Sequence, residues 1–464
     1  MVTPAVTLVL IVHNTAPWLA ACIRSIAAQS FQDFEVVVVD VASDLATKGV
    51  LLRNWGSLPH ARLIVKARNV GGAVAGNLGI RAARGRYVFL MDSDDLLPPE
   101  ALGSLHAAAE ADGLDVTIGR ALSVVGGRPT RMRYSADLIT WARPLVTDDL
   151  RAHPELTMAP YYWGRLYRRA FLLGENVFMR PGQLYADRFF TCLALTRSRR
   201  IGVVGQLAYL WRRDRGDDRQ GLSITQRTRS LEVLRDRLDG FADVEALFCD
   251  EADRSLRQYV RLADLMRLFI HAKHAADDPD FRAGFVRLAA PYAASFSLDD
   301  VASAPFLLAR HKVQWFLTAG GRADDLGRFL TQLGDCAEPV TNGAEAVHAY
   351  RQLIPDLPPQ VCAEPLRRLG DLTAHLTVGD RAELVVDLSG APDALTYEAV
   401  SVVLRSKSLA DEERIYPAQF TVRPGTLIVG VPPDFPGSRD KVSLEYIAAG
   451  RVGRAPITVS ARQP

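Results

Sequence analysis

The sequence has almost no excess of charge of either sign and no long apolar run. Its 464 residues include 55 Lys and Arg against 53 Asp and Glu, so no broad basic field attracts nucleic acid or an anionic membrane surface. No apolar run reaches the roughly 18 residues that a membrane-spanning helix needs. The first one, Val6–Val12, has the length of a strand and no basic segment before it, which argues against a secretory signal. We therefore expect a cytoplasmic protein without a transmembrane segment.

Cysteine is scarce and scattered. The five cysteines, Cys22, Cys192, Cys249, Cys336 and Cys362, include no C-x-x-C pair. Such pairs are typical of zinc and redox sites, so neither kind of site is expected. An odd number of distant cysteines instead indicates buried thiols in a reducing compartment.

The remaining composition is that of a globular protein. Hydrophobic residues make up 48% of the chain and charged residues 23%, which excludes a disordered or fibrous protein. At roughly 100–200 residues per domain, a chain of this length has room for two to four domains.

The N-terminal part alternates between strand and helix patterns. Val6–Val12 and Phe34–Val39 are apolar runs rich in β-branched residues, which predict strands buried on both faces. The apolar spacing over 17–29 predicts a helix between them, and Leu63–Val65 and Arg86–Met91 are two further strands. This order predicts an α/β fold with a mostly parallel sheet, whose ligands bind at the carboxyl ends of the strands.

Two other patterns follow. Residues 228–353 keep the apolar spacing of helices, whereas short strand-like runs separated by Gly, Pro and Asp occupy 372–464. A proline-rich stretch begins the intervening segment 354–371 and is typical of a linker. The predicted organisation is an α/β domain over 1–227, a helical domain, a linker and a small C-terminal β-sandwich.

An acidic cluster, Asp92, Asp94 and Asp95, directly follows the predicted strand Arg86–Met91. Carboxylates this close repel one another unless a cation joins them. A hard divalent ion with oxygen ligands fits, and such an ion also holds substrate phosphates. A helix is predicted from Pro98, and one of these aspartates could instead be its N-cap. The cluster alone leaves both interpretations open.

Four spaced motifs at the start of the chain resemble those of family 2 glycosyltransferases. They are Val9–Asn14, Ile23–Phe31 with Phe34–Asp40, Asn69–Ile80 and Ala83–Asp95. The resemblance implies a GT-A nucleotide-sugar fold over the first domain. It also implies a nucleotide-sugar donor and an Mg²⁺ or Mn²⁺ ion bound by Asp94 and Asp92.

The next segments resemble the acceptor half of that fold: Gly164–Arg169, Phe178–Gly182 and Leu184–Phe190. The family usually shows Glu-Asp in the last of them, and the Asp acts as the catalytic base. Here Ala186 replaces the Glu, and Asp187 keeps the position of the base. The alternative is that Asp187 only caps the helix that follows.

A later segment, Ala208–Arg213 with Ser223–Thr225, resembles an aromatic-Arg-Ser segment of the family. Arginines there can neutralise a departing diphosphate. The resemblance implies nucleotide contacts at the following residues: Val12, His13, Asp40, Asn69, Gly71, Gly72, Asn77, Asp92, Ser93, Arg213 and Arg215.

Three departures from the family pattern concern the nucleotide. Val41 stands where a second Asp usually follows Asp40, Gly76 replaces an Arg, and His13 replaces a Tyr that often stacks on the base. The side chain of Val41 cannot accept the imino N–H of uracil. Either Asp40 therefore reads the base, or the selectivity for the base is weak. The other motifs favour a uridine or thymidine donor.

The order of the three parts is similar to that of wall teichoic acid polyol glycosyltransferases, whose C-terminal parts mediate self-assembly. This resemblance implies a homo-oligomer. It predicts inverting transfer of a sugar, from a UDP-linked donor, to an acceptor hydroxyl. The expected acceptor is a cell-wall polyol phosphate or a small natural product, with no nucleic acid partner.

Two other classes remain open. A nucleotidyltransferase also uses metal-bound carboxylates on such a sheet, but it needs a glycine-rich basic loop after the first strand. The segment His13–Pro17 contains no Gly, Lys or Arg. A non-catalytic carbohydrate-binding or assembly protein could have lost the Asp, Arg and Glu that are missing here. Metal-dependent hydrolysis of a sugar nucleotide distinguishes it from an enzyme.

Overall fold

The computed structural model describes residues 3–130, 132, 140–141, 144–213, 228–304, 306–333 and 350–362, together with eight strands between residues 372 and 461. The N-terminal part alternates strands and helices around one sheet. Its elements are β1 (Val6–Val12), α1 (Ala16–Ala27), β2 (Phe34–Val41), α2 (Leu45–Asn54), β3 (Arg62–Lys66), α3 (Gly71–Ala82), β4 (Tyr87–Asp92), α4 (Ala101–Asp112), β5 (Val116–Val125), β6 (Arg128–Thr130), β7 (Leu145–Thr147), β8 (Arg165–Arg168), α5 (Arg169–Gly174), α6 (Ala186–Arg197) and β9 (Ile201–Arg212).

This sheet has a parallel half and a mixed half. Its strand order is β3-β2-β1-β4-β8-β5-β9-β7, with β6 paired to β5. The strands β3, β2, β1 and β4 are parallel, β8 is antiparallel to both of its neighbours, and β5 pairs with β9 in parallel. The predicted α/β fold is confirmed, and the strands β1, β2 and β4 end at one edge of the sheet.

Helix α3 packs very closely on β1. A Cβ atom on Gly79 would lie 2.1 Å from Cγ1 of Val9, far inside van der Waals contact. Glycine at this position therefore allows the helix to approach the sheet, which sets the position of the loop that precedes α3. Every residue of β1 is buried, as the apolar run predicted.

The helix predicted from Pro98 begins at Ala101 instead. Pro98 precedes Pro99, and a residue before proline is disfavoured in the helical conformation. The carbonyls of both prolines accept hydrogen bonds from the end of α1, at Gln29 Nε2 and Ser30 N. The prolines thus form a turn that ties α4 to α1. Since Glu100 precedes the helix without a side-chain cap, the N-cap interpretation of the acidic cluster is wrong.

The predicted helical region is present and has its own core. Its helices are α7 (Leu231–Glu245), α8 (Arg254–Ala272), α9 (Pro279–Ala293), α10 (Leu298–Ser303), α11 (Ala309–Ala319), α12 (Ala323–Leu333) and α13 (Pro359–Cys362). Ile354, Leu357 and Val361 are buried in this core, so the first part of the proline-rich stretch packs with the helices.

The C-terminal strands are β10 (Leu372–Val378), β11 (Ala382–Asp387), β12 (Tyr397–Arg405), β13 (Glu413–Pro417), β14 (Phe420–Arg423), β15 (Thr426–Gly430), β16 (Lys441–Ala448) and β17 (Arg451–Ala461). They pair in the order β13-β12-β16-β17-β10-β11-β15-β14. Neighbours are antiparallel except for β10 and β17. A β-rich C-terminal part is therefore present, and its packing as a sandwich stays a prediction.

Two further expectations from the sequence concern membrane-spanning helices and the burial of the cysteines. None of the helices in the described part of the chain is long and apolar enough to cross a membrane. Cys22 and Cys192 are buried as expected, whereas Cys249 is exposed.

Candidate active site

A polar cluster lies at the carboxyl ends of β1 and β2. His13 directly follows Val12, the last residue of β1. Its ring joins two loops, because Nδ1 lies 2.7 Å from the carbonyl oxygen of Val41 and Nε2 lies 3.0 Å from Nδ2 of Asn69. A carbonyl only accepts, so Nδ1 carries the proton and Nε2 accepts from the amide. The exposed imidazole is therefore held in one orientation at the edge of the sheet.

Asp40 lies beside Val12 in the paired strands and is almost fully buried, with 2% of its surface exposed. Its Oδ1 accepts a hydrogen bond of 3.0 Å from the backbone N of Ser43. Asp40 thus closes the turn after β2. Whether it also contacts a nucleotide base stays a prediction.

The glycine loop before α3 leaves room for a ligand. Oδ1 of Asn69 accepts a bond of 2.8 Å from the backbone N of Gly71. Gly71 has a φ of 80°, which L-residues with side chains rarely adopt. No heavy atom lies within 4 Å of the position of a Cβ on Gly71 or Gly72, and both glycines are exposed. The backbone here is open to close approach from outside.

Asn77 and Gly76 face the segment around Met179. The Asn77 side chain donates to the carbonyl of Met179 at 2.8 Å and accepts from its backbone N at 2.9 Å. A Cβ on Gly76 would lie 3.0 Å from Cε of Met179, so the methionine fills the space where the family has an Arg. Both polar groups of Asn77 thus bind the protein itself, and its contact with a nucleotide stays a prediction.

Asp92 ends β4, and Ser93 follows it. Oδ1 of Asp92 accepts a hydrogen bond from the hydroxyl of Tyr162, and its backbone N donates to the hydroxyl of Tyr209 at 3.2 Å. The hydroxyl of Ser93 is buried and lies 2.7 Å from that of Thr15. Ser93 therefore joins the end of β4 to the loop after β1.

Asp95 is fully buried and doubly hydrogen-bonded. Its Oδ2 accepts from the hydroxyl of Tyr209 at 2.7 Å, and its Oδ1 accepts from the backbone N of Arg212 at 2.7 Å. Burial, followed by the charges of Asp94 and Asp92, raises the pKa of Asp95 well above its ordinary value. Asp95 therefore holds the acidic cluster to β9, and the surroundings penalise its negative charge.

Asp187 lies in the first turn of α6, but it does not cap the helix. Tyr185 precedes the helix without a side-chain cap, while Oδ1 of Asp187 accepts from the neighbouring backbone N of Arg188 at 2.9 Å. Burial raises the pKa of Asp187 above its ordinary value, against that hydrogen bond and the charges of Arg237, Arg267 and Arg188. A carboxylate with a raised pKa is a stronger base, because its pKa lies closer to neutral pH.

Tyr162 connects Asp187 to the acidic cluster. Its hydroxyl donates to Asp92. Burial raises the pKa of Tyr162 well above its ordinary value, and the negative charges of Asp92, Asp187 and Asp94 all add to this effect. The charges of all three carboxylates therefore act on this one tyrosine. Tyr162 and Tyr209 were not singled out from the sequence, because they lie 70 and 117 residues away from the aspartate they contact.

The segment with the candidate diphosphate-binding arginines is described only up to Arg213. Arg213 donates its backbone N to the carbonyl of Val124 at 3.0 Å, and its guanidinium carbon lies 5.3 Å from the centre of the Trp211 ring. It thus follows β9 at the same edge of the sheet as Asp95. Arg215 lies outside the described residues.

The carboxylates present are compatible with a metal that also binds a ligand. Among the described residues, no group of three or more His, Cys, Asp or Glu side chains is arranged to hold a metal ion. One or two carboxylates are enough for an ion that shares its coordination with phosphate oxygens and water. Asp92 and Asp94 provide such a pair, whereas Asp95 is bound to Tyr209 and Arg212.

The fold and this edge of the sheet define a class of protein, and comparisons with known proteins agree. Residues 7–173 match the family described as Glycosyl transferase family 2. The chain is 39% identical over 137 residues to the succinoglycan biosynthesis protein ExoO of Rhizobium meliloti, covering 29% of this chain and 38% of that protein. It is 26% identical over 212 residues to the poly(ribitol-phosphate) beta-glucosyltransferase of Bacillus spizizenii, covering 44% and 32%. The resemblance to family 2 glycosyltransferases is confirmed over residues 7–173.

Solved structures extend the likeness of the fold. Residues 1–349 of S. aureus TarS, solved in complex with UDP-GlcNAc, give a TM-score of 0.55 at 17% identity, over 70% of this chain and 91% of that chain. A longer TarS structure gives 0.53 at 14% identity, over 99% of this chain and 78% of that one. The predicted GT-A-like fold is therefore confirmed. The chain spans only about 38% of ExoO and 61% of EpsJ of Bacillus subtilis, so it matches part of each curated relative.

Proposed function

We propose that this protein is an inverting glycosyltransferase that moves a sugar from a nucleoside-diphosphate sugar, UDP-linked, to an acceptor hydroxyl. One observation carries the proposal. Tyr162 donates to Asp92 at the carboxyl edge of a GT-A-like sheet and is near enough to Asp94 and Asp187 for their charges to raise its pKa, although Asp187 comes from a helix about 95 residues further along the chain. A pair of carboxylates for a diphosphate-bound metal and a separate carboxylate base are the two groups that such a transfer needs.

Asp187 is the proposed base. The acceptor oxygen forms a bond to the anomeric carbon while its proton passes to the carboxylate of Asp187. The bond between that carbon and the diphosphate breaks, and its electron pair leaves with the diphosphate. A positioned base typically contributes about 10²–10⁴-fold to the rate. The raised pKa of Asp187 supports this role, because proton transfer to a stronger base is more favourable.

Asp94 and Asp92 are the proposed ligands of Mg²⁺ or Mn²⁺. When bound, such an ion neutralises the charge that develops on the leaving diphosphate. Burial is the main cause of the raised pKa of Asp95, and the charges of Asp94 and Asp92 add to it, a repulsion that a bound cation would relieve. Tyr162 and Tyr209 orient the cluster through their bonds to Asp92 and Asp95.

The nucleotide would lie across the ends of β1 and β2 and the glycine loop. His13 presents an oriented ring there, and the backbone of Gly71 and Gly72 is open. Contacts of a nucleotide with Val12, Asp40, Asn69, Asn77, Ser93, Arg213 and Arg215 belong to this proposal. The acceptor is a cell-wall polyol phosphate or a small natural product, and the C-terminal strands would mediate homo-oligomer formation.

The test distinguishes a role of Asp187 in proton transfer from a role in nucleotide binding. Asp187→Asn keeps the shape of the side chain and removes the proton acceptor. Transfer should fall by at least about 10²-fold while nucleotide affinity stays near wild type. Asp94→Ala should abolish the dependence of nucleotide binding on Mn²⁺. Asp112→Asn, at an exposed position of α4, is the matched control for both.

Two results would contradict the proposal. Full transfer activity in Asp187→Asn would show that Asp187 is not the base. Absence of metal-dependent sugar-nucleotide hydrolysis and of transfer in the wild type would favour a non-catalytic carbohydrate-binding protein.

A further inference from the structure

A nearly buried arginine lies near enough to Asp187 for its charge to lower the pKa of that carboxylate. Arg237, on α7, has only 7% of its surface exposed. In the part of the chain that the structure describes, its guanidinium makes no ion pair, and its buried Nε has no hydrogen-bond partner. A nearly buried guanidinium with an unbonded N–H and no direct ion pair among the described residues is costly, so its presence calls for an explanation.

The aspartates nearest to Arg237 in the sequence bind other groups. Asp236, the preceding residue, accepts from the backbone N of Leu184 at 2.9 Å. Asp243, further along the helix, pairs with Arg180 and accepts from Gln183. None of these contacts neutralises Arg237.

The other two arginines whose charges act on Asp187 do have a partner. Arg188 and Arg267 both donate to Oδ1 of Asp264, at 2.9 and 3.4 Å. Arg237 makes no such contact with Asp264, and this one carboxylate balances only one of the two arginines that it binds.

Tyr185 orients the guanidinium of Arg237. The guanidinium carbon lies 3.6 Å from the centre of the Tyr185 ring, which is a close stacking arrangement. The hydroxyl of Tyr185 is itself buried without a hydrogen-bond partner among the described residues. A fixed guanidinium fork and a neighbouring hydroxyl are the groups that bind phosphate and carboxylate oxygens in proteins.

His271 contributes no second positive charge. Its Nδ1 donates to the carbonyl of Thr228 at 3.0 Å. Burial and the charge of Arg237 lower the pKa of His271 to about 3, so the imidazole is neutral near pH 7. The three arginines that act on Asp187 thus face two carboxylates, Asp187 and Asp264, which leaves one positive charge in excess.

We propose that Arg237 and Tyr185 form a subsite for an anionic group, a phosphate or a carboxylate, on the acceptor. This inference rests on the proposed function, since it takes Asp187 as the base. When Asp187 receives the acceptor proton it becomes neutral, and Arg237 then loses the negative charge that opposes it. An anionic group carried by the acceptor keeps the site balanced through the reaction.

The first test needs no transfer activity. Inorganic phosphate is titrated into the full chain, without metal, and binding is measured by calorimetry. Arg237→Gln should weaken binding at least tenfold, and Tyr185→Phe should weaken it less. Arg235→Gln, at an exposed position of the same helix, should not change it. Equal binding in Arg237→Gln and wild type would overturn the proposal, as would displacement of phosphate by uridine diphosphate, which would place the anion on the donor side.

The second test uses stability to separate binding from structure. Removing a nearly buried charge that makes no direct ion pair with a described residue should leave the melting temperature of Arg237→Gln equal to wild type or higher. A loss as large as that of Asp264→Asn would show that Arg237 is a structural residue. Arg237→Lys, which keeps the charge and loses the fork, provides a folded variant for the phosphate titration if the Gln variant is unstable.

The third test concerns the reaction. With ribitol, ribitol 5-phosphate and glucuronate as acceptors, Arg237→Gln should raise KM at least tenfold more for one or both charged acceptors than for the neutral one, whose rate reports the separate effect of Arg237 on Asp187. The charged acceptor that is affected identifies phosphate or carboxylate. Equal effects on all three would refute the subsite. Unchanged transfer in Asp187→Asn would refute the proposed function instead, and the phosphate titration is independent of that result.

Discussion

Replacing Asp264 by Asn is expected to destabilise the protein strongly. Asp264 lies on α8, and its side chain is 2% exposed. The two arginines that donate to it are 6% and 8% exposed. Their remaining contacts include the backbone carbonyls of Thr157 and Met158, so both guanidinium groups are surrounded by protein. The cluster joins α6, which carries the proposed base, to the helical region.

The magnitude follows from what each group would lose. Breaking a buried ion pair by removing one partner typically costs about 3–5 kcal/mol, because the other charge stays buried. The Asn oxygen can still accept one hydrogen bond, which places the expected loss near 3 kcal/mol, at the lower end of that range. Glu110→Gln removes an exposed pair with Arg86 and should cost less than about 1 kcal/mol.

The assay is equilibrium unfolding in urea, followed by fluorescence, for the wild type and both variants. A loss in Asp264→Asn no larger than that in Glu110→Gln would refute the reasoning. The pH dependence of transfer gives a second readout. Without its carboxylate partner, the charge of Arg188 acts more strongly on Asp187 and lowers the pKa of this base. Since the base must be ionised to act, the acid limb of the activity profile should shift to lower pH.

Three further predictions concern the packing, the base and the assembly. Gly79→Ala should cost about 1–3 kcal/mol in unfolding measurements because a stiff β-branched side chain lies beneath it, whereas Gly76→Ala should cost less because a flexible methionine can move. Asp40→Ala should abolish the preference for uridine diphosphate over cytidine and guanosine diphosphates. A strong preference that survives would assign base reading to other groups, and wild-type affinities within about tenfold, 1.4 kcal/mol, would mean that no residue reads the base. Deleting residues 363–464 should leave a folded protein with fewer subunits by light scattering, and an unchanged subunit number would exclude this segment from assembly.

The sequence predicted the parallel half of the sheet closely, because buried parallel strands are continuous apolar runs. Val6–Val12 is a strand at the predicted bounds, and the acidic cluster follows β4 as expected. The mixed half was not predicted, because β8 enters between β4 and β5 against their direction. Strand order depends on contacts between distant residues, which local periodicity does not report.

The candidate site was also predicted only in part. The types and order of its residues could be read from motifs, whereas the roles of individual members of a motif could not. Tyr162, Tyr209 and Arg237 are ordinary residues in the sequence. They become informative only through their partners, or through the absence of a partner in the described part of the chain.

The spacing of the acidic cluster follows from these contacts. Ser93 and Asp95 are turned into the protein, where Thr15, Tyr209 and the backbone of Arg212 hold them. Two side chains of the motif thus bind the end of β4 to β1 and β9, and Asp92 and Asp94 alternate with them. The loop turns at once, because the backbone N of Asp95 donates to the carbonyl of Asp92 at 3.3 Å. Asp92 and Asp94 are therefore the proposed metal ligands, because the residues between and after them anchor the turn that holds them.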